Sequence, residues 1–130
     1  MANQVDTALH KVREIALALP GATEKASHSF PTFFVGKRVF AYFTNNHHGD
    51  GRLAVLVKVG LEGQDALVRS DGERFYVPPY VGHQGFVGVR LEGKAPWKLV
   101  AELLHRSFSL VAPVKKARAT GVRKTRARTS

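Results

Sequence analysis

The sequence predicts an α+β fold: an antiparallel sheet with hairpin wings, long N- and C-terminal helices and one short middle helix. Three observations predict it. Both ends of the domain carry apolar residues at helical spacing, Val5, Leu9, Val12, Ala16 and Leu19 at the start and Trp97, Val100, Leu104, Phe108 and Val111 at the finish. Between them, Phe30 to Val35 and Arg38 to Thr44 are aromatic and β-branched runs joined by Gly36-Lys37, the two-residue connection of a tight hairpin. Finally, Leu53-Ala54-Val55-Leu56-Val57 is continuously apolar between Arg52 and Lys58, as a central strand buried on both faces would be.

The first helix is expected over residues 5 to 19, favoured at its start by Asp6 and stopped by Pro20-Gly21. Ala22 to Ser29 is short and polar and is expected to be a loop. In the second hairpin strand, strict alternation puts Val39, Ala41 and Phe43 on one face and Phe40 and Tyr42 on the other, so both faces of the sheet have apolar character. That second face needs a cover, a partner copy or a stacked ligand. Asn45 to Gly51 is turn-rich, Leu61 to Val68 forms the short middle helix, and Glu73 to Val77 a short strand. Pro78-Pro79 then confine the chain to a loop, and Gly82 and Gly85 allow the turn into a strand beginning at Phe86. Pro96 opens the last helix without losing a hydrogen bond. Trp97 and Phe108 are expected to be core anchors.

At 130 residues and 44% hydrophobic, the chain fits one domain with a modest core. Its charge is asymmetric. Of the formal +10, residues 1–111 contribute 13 Lys and Arg against 10 Asp and Glu, whereas residues 112–130 carry 7 Lys and Arg and no acid. The expected division is therefore a folded domain over residues 1–113 and a disordered basic tail over 114–130, too poor in large apolar residues to offset chain entropy. Absence of cysteine excludes a disulfide framework, a thiolate nucleophile and thiolate-type zinc sites. No apolar run approaches the roughly 18 residues of a membrane span. Lys11, Arg13 and Glu14 interrupt any signal-peptide core, so a cytoplasmic protein without a membrane partner is expected.

Motifs for catalysis are missing: there is no phosphate-binding Walker loop, no Gly-x-Ser-x-Gly turn and no histidine pair at metalloprotease spacing. Ser27, His28 and Ser29 are neighbours in sequence, which does not create a nucleophile and base in register. His47, His48 and Asp50 share a loop, but adjacent side chains of an extended chain point apart, so a solvated loop tip is expected rather than a metal site. No catalytic residue, metal or cofactor is expected.

Several separated motifs, in order, resemble the MmcQ/YjbR-like family of small bacterial proteins over roughly residues 8–115. They are Ala18-Leu19-Pro20-Gly21-Ala22 with Glu24, the hairpin Phe33 to Ala41, Pro79-Tyr80-Val81-Gly82 with Gly85-Phe86-Val87, and Ser107 to Pro113. The resemblance implies a double-wing α+β fold, for which DNA binding has been proposed. Phe86 stands where relatives often have tryptophan, and residues 116–130 extend beyond the family pattern.

The leading functional expectation is a non-enzymatic DNA-binding module. Lys37 and Arg38 at the hairpin tip, with Arg52, Lys58, Arg74 and Arg90, would contact phosphates, Tyr42 or Tyr80 would stack on bases, and tail cations such as Lys115, Lys116 and Arg118 would add affinity without specificity. The alternative is a small-molecule or protein-binding domain, monomeric or weakly homodimeric, with a pocket built from Tyr42, Tyr80 and His83. A solvated polar face accounts equally well for the cations, and only their arrangement in space separates the readings.

Overall fold

A computed structural model describes residues 4–27, 30–46, 49 and 51–112. Helix α1 spans Gln4–Leu17 and is followed by strands β1 (Ala22–Ser27), β2 (Phe30–Val35), β3 (Arg38–Asn45) and β4 (Leu53–Lys58). Helix α2 (Gly60–Ser70), strand β5 (Phe75–Tyr76), a 3₁₀ turn (Gly82–Gln84), strand β6 (Phe86–Arg90) and helix α3 (Trp97–Val111) complete the order. The strands form one antiparallel sheet in the order β1-β2-β3-β4-β6-β5, which puts β3 and β4 at its middle, as the apolar run 53–57 requires.

One sheet face and the terminal helices enclose the main core. Ala8, Val12 and Ala16 of α1 and Val100, Leu103 and Leu104 of α3 pack with Phe33, Val55, Val57, Val87 and Val89 of the sheet. Trp97 and Phe108 join it as partly buried anchors, in line with their helical spacing. Proline and glycine at 20–21 end α1 where expected.

Residues 22–27 form a strand rather than the expected loop. Strand β1 pairs with β2 from Ala22↔Val35 to Ser27↔Phe30, but it lies at the sheet edge and buries no residue fully, so it lacks the apolar alternation that marks a strand in sequence. Its Glu24 carboxylate accepts two hydrogen bonds from the Arg13 guanidinium, at 2.8 and 2.7 Å, which ties the edge to α1. Charged residues on such an edge also discourage pairing with another chain.

The hairpin has its two-residue Gly36-Lys37 turn, but its register shifts between Phe33↔Ala41 and Phe34↔Val39, leaving Phe40 as an extra residue. Alternation therefore fails here. Phe40 turns into the main core with Ala41 and Phe43 and meets Phe108 edge-on at 5.4 Å between ring centres, while Tyr42 keeps the opposite face. Where the β3–β4 pairing stops at Ala41↔Val57, the fully buried Ser107 bridges the two strands. Its hydroxyl donates to the Phe40 carbonyl at 2.5 Å and accepts from the Lys58 N–H at 2.8 Å.

The entry to β6 is held as tightly. The N–H groups of Val59 and Gly60 both donate to the Gly85 carbonyl, at 2.9 and 3.1 Å, and the buried Gln64 amide donates to the carbonyls of Gly82 and Phe86, at 2.8 and 2.7 Å. Gly85 has φ +87, and a Cβ there would lie 2.9 Å from the Gly60 Cα, so only glycine fits this backbone crossing.

Candidate functional site

The second sheet face carries a smaller apolar cluster of Ala54, Leu56 and Phe86, with Tyr42, Tyr76 and Val81 packed against it. Pairing lines up Tyr42↔Leu56, Leu56↔Gly88 and Gly88↔Tyr76 as one row crossing four strands. Gly88 has a particular place in that row. A Cβ on it would lie 2.4 Å from atoms of the Tyr76 ring, so the ring occupies the space over the glycine. The Arg52 guanidinium in turn stacks on Tyr76, 4.0 Å from the ring centre.

At one end of this face, the start of β3, the end of β4 and the start of β6 meet the last turn of α3. The cleft between them has a volume of about 350 Å³ and is lined by Arg38, Val39, Tyr42, Lys58, Gln84 and Phe86, with Leu110 and Val111 closing it from the helix. The fold sets each side chain from its backbone. The tight turn delivers Arg38, the bulge swings Val39 to this face, Ser107 fixes Lys58, and Gln64 fixes the start of β6.

Electrostatically the cleft is one-sided. Arg38 and Lys58 enter its lining and no carboxylate does. Among the described residues neither cation takes part in an ion pair. The C-terminal turn of α3 helps to accommodate them, because the partial negative charge of a helix end favours nearby cations. Burial pushes the Tyr42 phenol above its ordinary 10.0, so it stays neutral beside them at physiological pH. Its ring lies 5.6 Å from Phe86, tilted by 59°. An aromatic surface beside two cations suits a ligand with a flat ring and an anionic group.

The remaining expected residues are dispersed. Arg74 is turned inward: its guanidinium donates to the carbonyls of Arg90 at 2.8 Å and Glu92 at 3.3 Å, holding the chain between β6 and α3. Arg90 pairs with the Glu92 carboxylate at 3.2 Å. Both line a second cleft with Asp71, Glu73 and Glu92, where the acids counter a phosphate-binding role. Tyr80, 71% exposed, and the exposed His83 lie outside the cleft that holds Tyr42, so the three do not form the expected pocket. Lys37 is exposed at the turn beside Arg38. His47, His48, Asp50, Lys115, Lys116 and Arg118 lie outside the described residues. Among the described residues no group of three His, Cys, Asp or Glu could hold a metal ion, and no helix is long and apolar enough to cross a membrane.

The Arg90–Glu92 pair makes a prediction about acid. Burial alone would raise the Glu92 carboxyl, but hydrogen bonds from Arg90 and from the Leu53 N–H outweigh it and hold the group below its ordinary 4.5. A depressed carboxyl contributes stability above its unfolded value and loses it as pH falls through the folded one. Unfolding midpoints should therefore drop as pH falls below about 4.5, and Glu92→Gln should flatten that drop. Identical acid profiles for the two proteins would contradict the assignment.

Sheet order and terminal helices together define a small α+β domain with a frame of three helices and six strands among the described residues. The family model for YjbR matches residues 17–110, and the chain belongs to the YjbR family. A solved structure shares the fold: the crystal structure of the Deinococcus radiodurans protein DR2400, with the domain DUF419, superposes with a TM-score of 0.71 at 22% identity, covering 94% of each chain. None of the curated proteins matches the sequence.

Proposed function

We propose that this protein is a non-enzymatic DNA-binding module whose contact surface is the cleft of Arg38, Lys58 and Tyr42. The observation that carries this reading is the pairing of two cations with an aromatic ring in a lining without carboxylates. Lys37, one residue before Arg38, extends the positive surface along the turn. Arg52 adds a cation beyond the cleft, stacked on Tyr76. Arg74 and Arg90 leave the set, because their guanidinium groups serve carbonyls and Glu92.

Phosphate contacts make affinity depend on salt through counterion release. With four contacts from Lys37, Arg38, Arg52 and Lys58, log K for duplex DNA should fall against log salt with a slope of about −3.6, and any contribution from the seven tail cations would steepen it. Fluorescence anisotropy of labelled DNA titrated at several salt concentrations measures the slope. A flat response would sink the reading.

A further inference from the structure

We infer that the second sheet face binds single-stranded rather than duplex DNA, as a short track running from the cleft across Tyr42 and Leu56 to Tyr76 and Arg52. This inference rests on the DNA-binding reading above and adds to it the strand state and the path.

Shape excludes the duplex from the aromatic part of the surface. In a duplex the base faces are stacked on one another and unavailable to a side chain, whereas an unpaired base offers a face to any ring. The cleft is concave, and its volume of about 350 Å³ lies at the small end for a ligand site, a scale that matches one nucleotide unit rather than a double helix. Its two cations line the same depression as Tyr42, so phosphate and base of one unit would meet complementary groups together.

Tyr76 bounds the far end of the track rather than offering a second stacking platform, because its ring lies over Gly88 on one side and under the Arg52 guanidinium on the other. Tyr42 and Tyr76 occupy the same cross-strand row, separated by β4 and β6. Three strand spacings make their backbones about 14 Å apart, the reach of a few nucleotides. Gly88 makes room for the Tyr76 ring, since a Cβ at that position would overlap it. Arg52, stacked on Tyr76, supplies a positive charge at the far end as Arg38 and Lys58 do at the near end. An aromatic platform such as Tyr42, flanked by cations along a groove, is how sequence-tolerant single-strand binders work.

The test measures binding of the full chain to labelled oligo(dT) and to a duplex of equal length at one salt concentration, for the natural protein, Tyr42→Leu and Tyr42→Phe. Circular dichroism and thermal melts establish that the variants are folded. Oligo(dT) is expected to bind more tightly than duplex. Tyr42→Leu should lose about tenfold in oligo(dT) affinity but no more than about threefold in duplex affinity, and Tyr42→Phe should keep oligo(dT) binding because stacking needs the ring and not the hydroxyl. Should Tyr42→Leu fail to fold, Tyr42→Met, which removes the ring and keeps apolar bulk, carries the same comparison. Equal affinity for the two DNAs, or an equal loss for both in the variant without the ring, overturns the single-strand track while leaving phosphate binding in place. No binding to either DNA overturns both readings.

Discussion

Ser107→Ala is expected to lower the unfolding free energy by about 2–4 kcal/mol, since it leaves one buried and one part-buried backbone group without a partner and each costs roughly 1–3 kcal/mol. Those groups are the Phe40 carbonyl and the Lys58 N–H, which the Ser107 hydroxyl joins in the natural protein. The loss arises at the end of the β3–β4 pairing. Regular pairing stops at Ala41↔Val57, and beyond it a hydroxyl from α3 joins the two strands in place of a direct bond. Urea unfolding followed by Trp97 fluorescence should show a lower midpoint with an unchanged slope. A shift of less than about 0.5 kcal/mol, the size of an ordinary surface substitution, would mean that Ser107 does not hold β3 to β4 there.

The second large effect is on binding. Arg38→Glu combined with Lys58→Glu should weaken DNA binding about 100-fold at low salt, because each cation contributes a charge-assisted bond worth at least about 1.5 kcal/mol and each decade of affinity is 1.4 kcal/mol. The salt slope on duplex DNA should also become shallower by about two, with the tail cations still present. Arg74→Ala is the informative contrast. It should cost stability through the lost bonds to Arg90 and Glu92 carbonyls, and leave the salt slope as it was. Equal losses of slope in the two variants would return Arg74 to the binding surface.

Elements with a strong local pattern were legible in the sequence. Both terminal helices follow from their apolar stripes, the hairpin from Gly36-Lys37, and the central strand from the run between Arg52 and Lys58. What escaped was set by tertiary contacts. Strand β1 is polar because it lies on the edge, so its pairing with β2 leaves no trace in its own residues. The bulge sits inside five consecutive apolar residues, Val39 to Phe43, where alternation has no polar marks to fix the face. One extra residue there moved Phe40 into the core and Val39 into the cleft.

The site was legible in part for the same reason. Arg38, Lys58 and Tyr42 stood out as residue types, but nothing local showed that β3, β4 and β6 bring them together beside Leu110 and Val111. Arg74 and Arg90 looked equivalent to them in sequence. Their difference is the carbonyls and the Glu92 carboxylate that each faces, a difference made by the packing of β5 against β6.

The central claim is that the folded cleft, and not the basic tail, meets DNA. Nuclear magnetic resonance of the isotopically labelled full chain, titrated with a short oligo(dT), tests it most directly. Amide shifts are predicted to move at Arg38, Tyr42, Lys58, Gln84 and Phe86, while Arg74 and His83 stay in place. Shifts confined to residues 113–130 would contradict the claim and assign DNA binding to the tail alone.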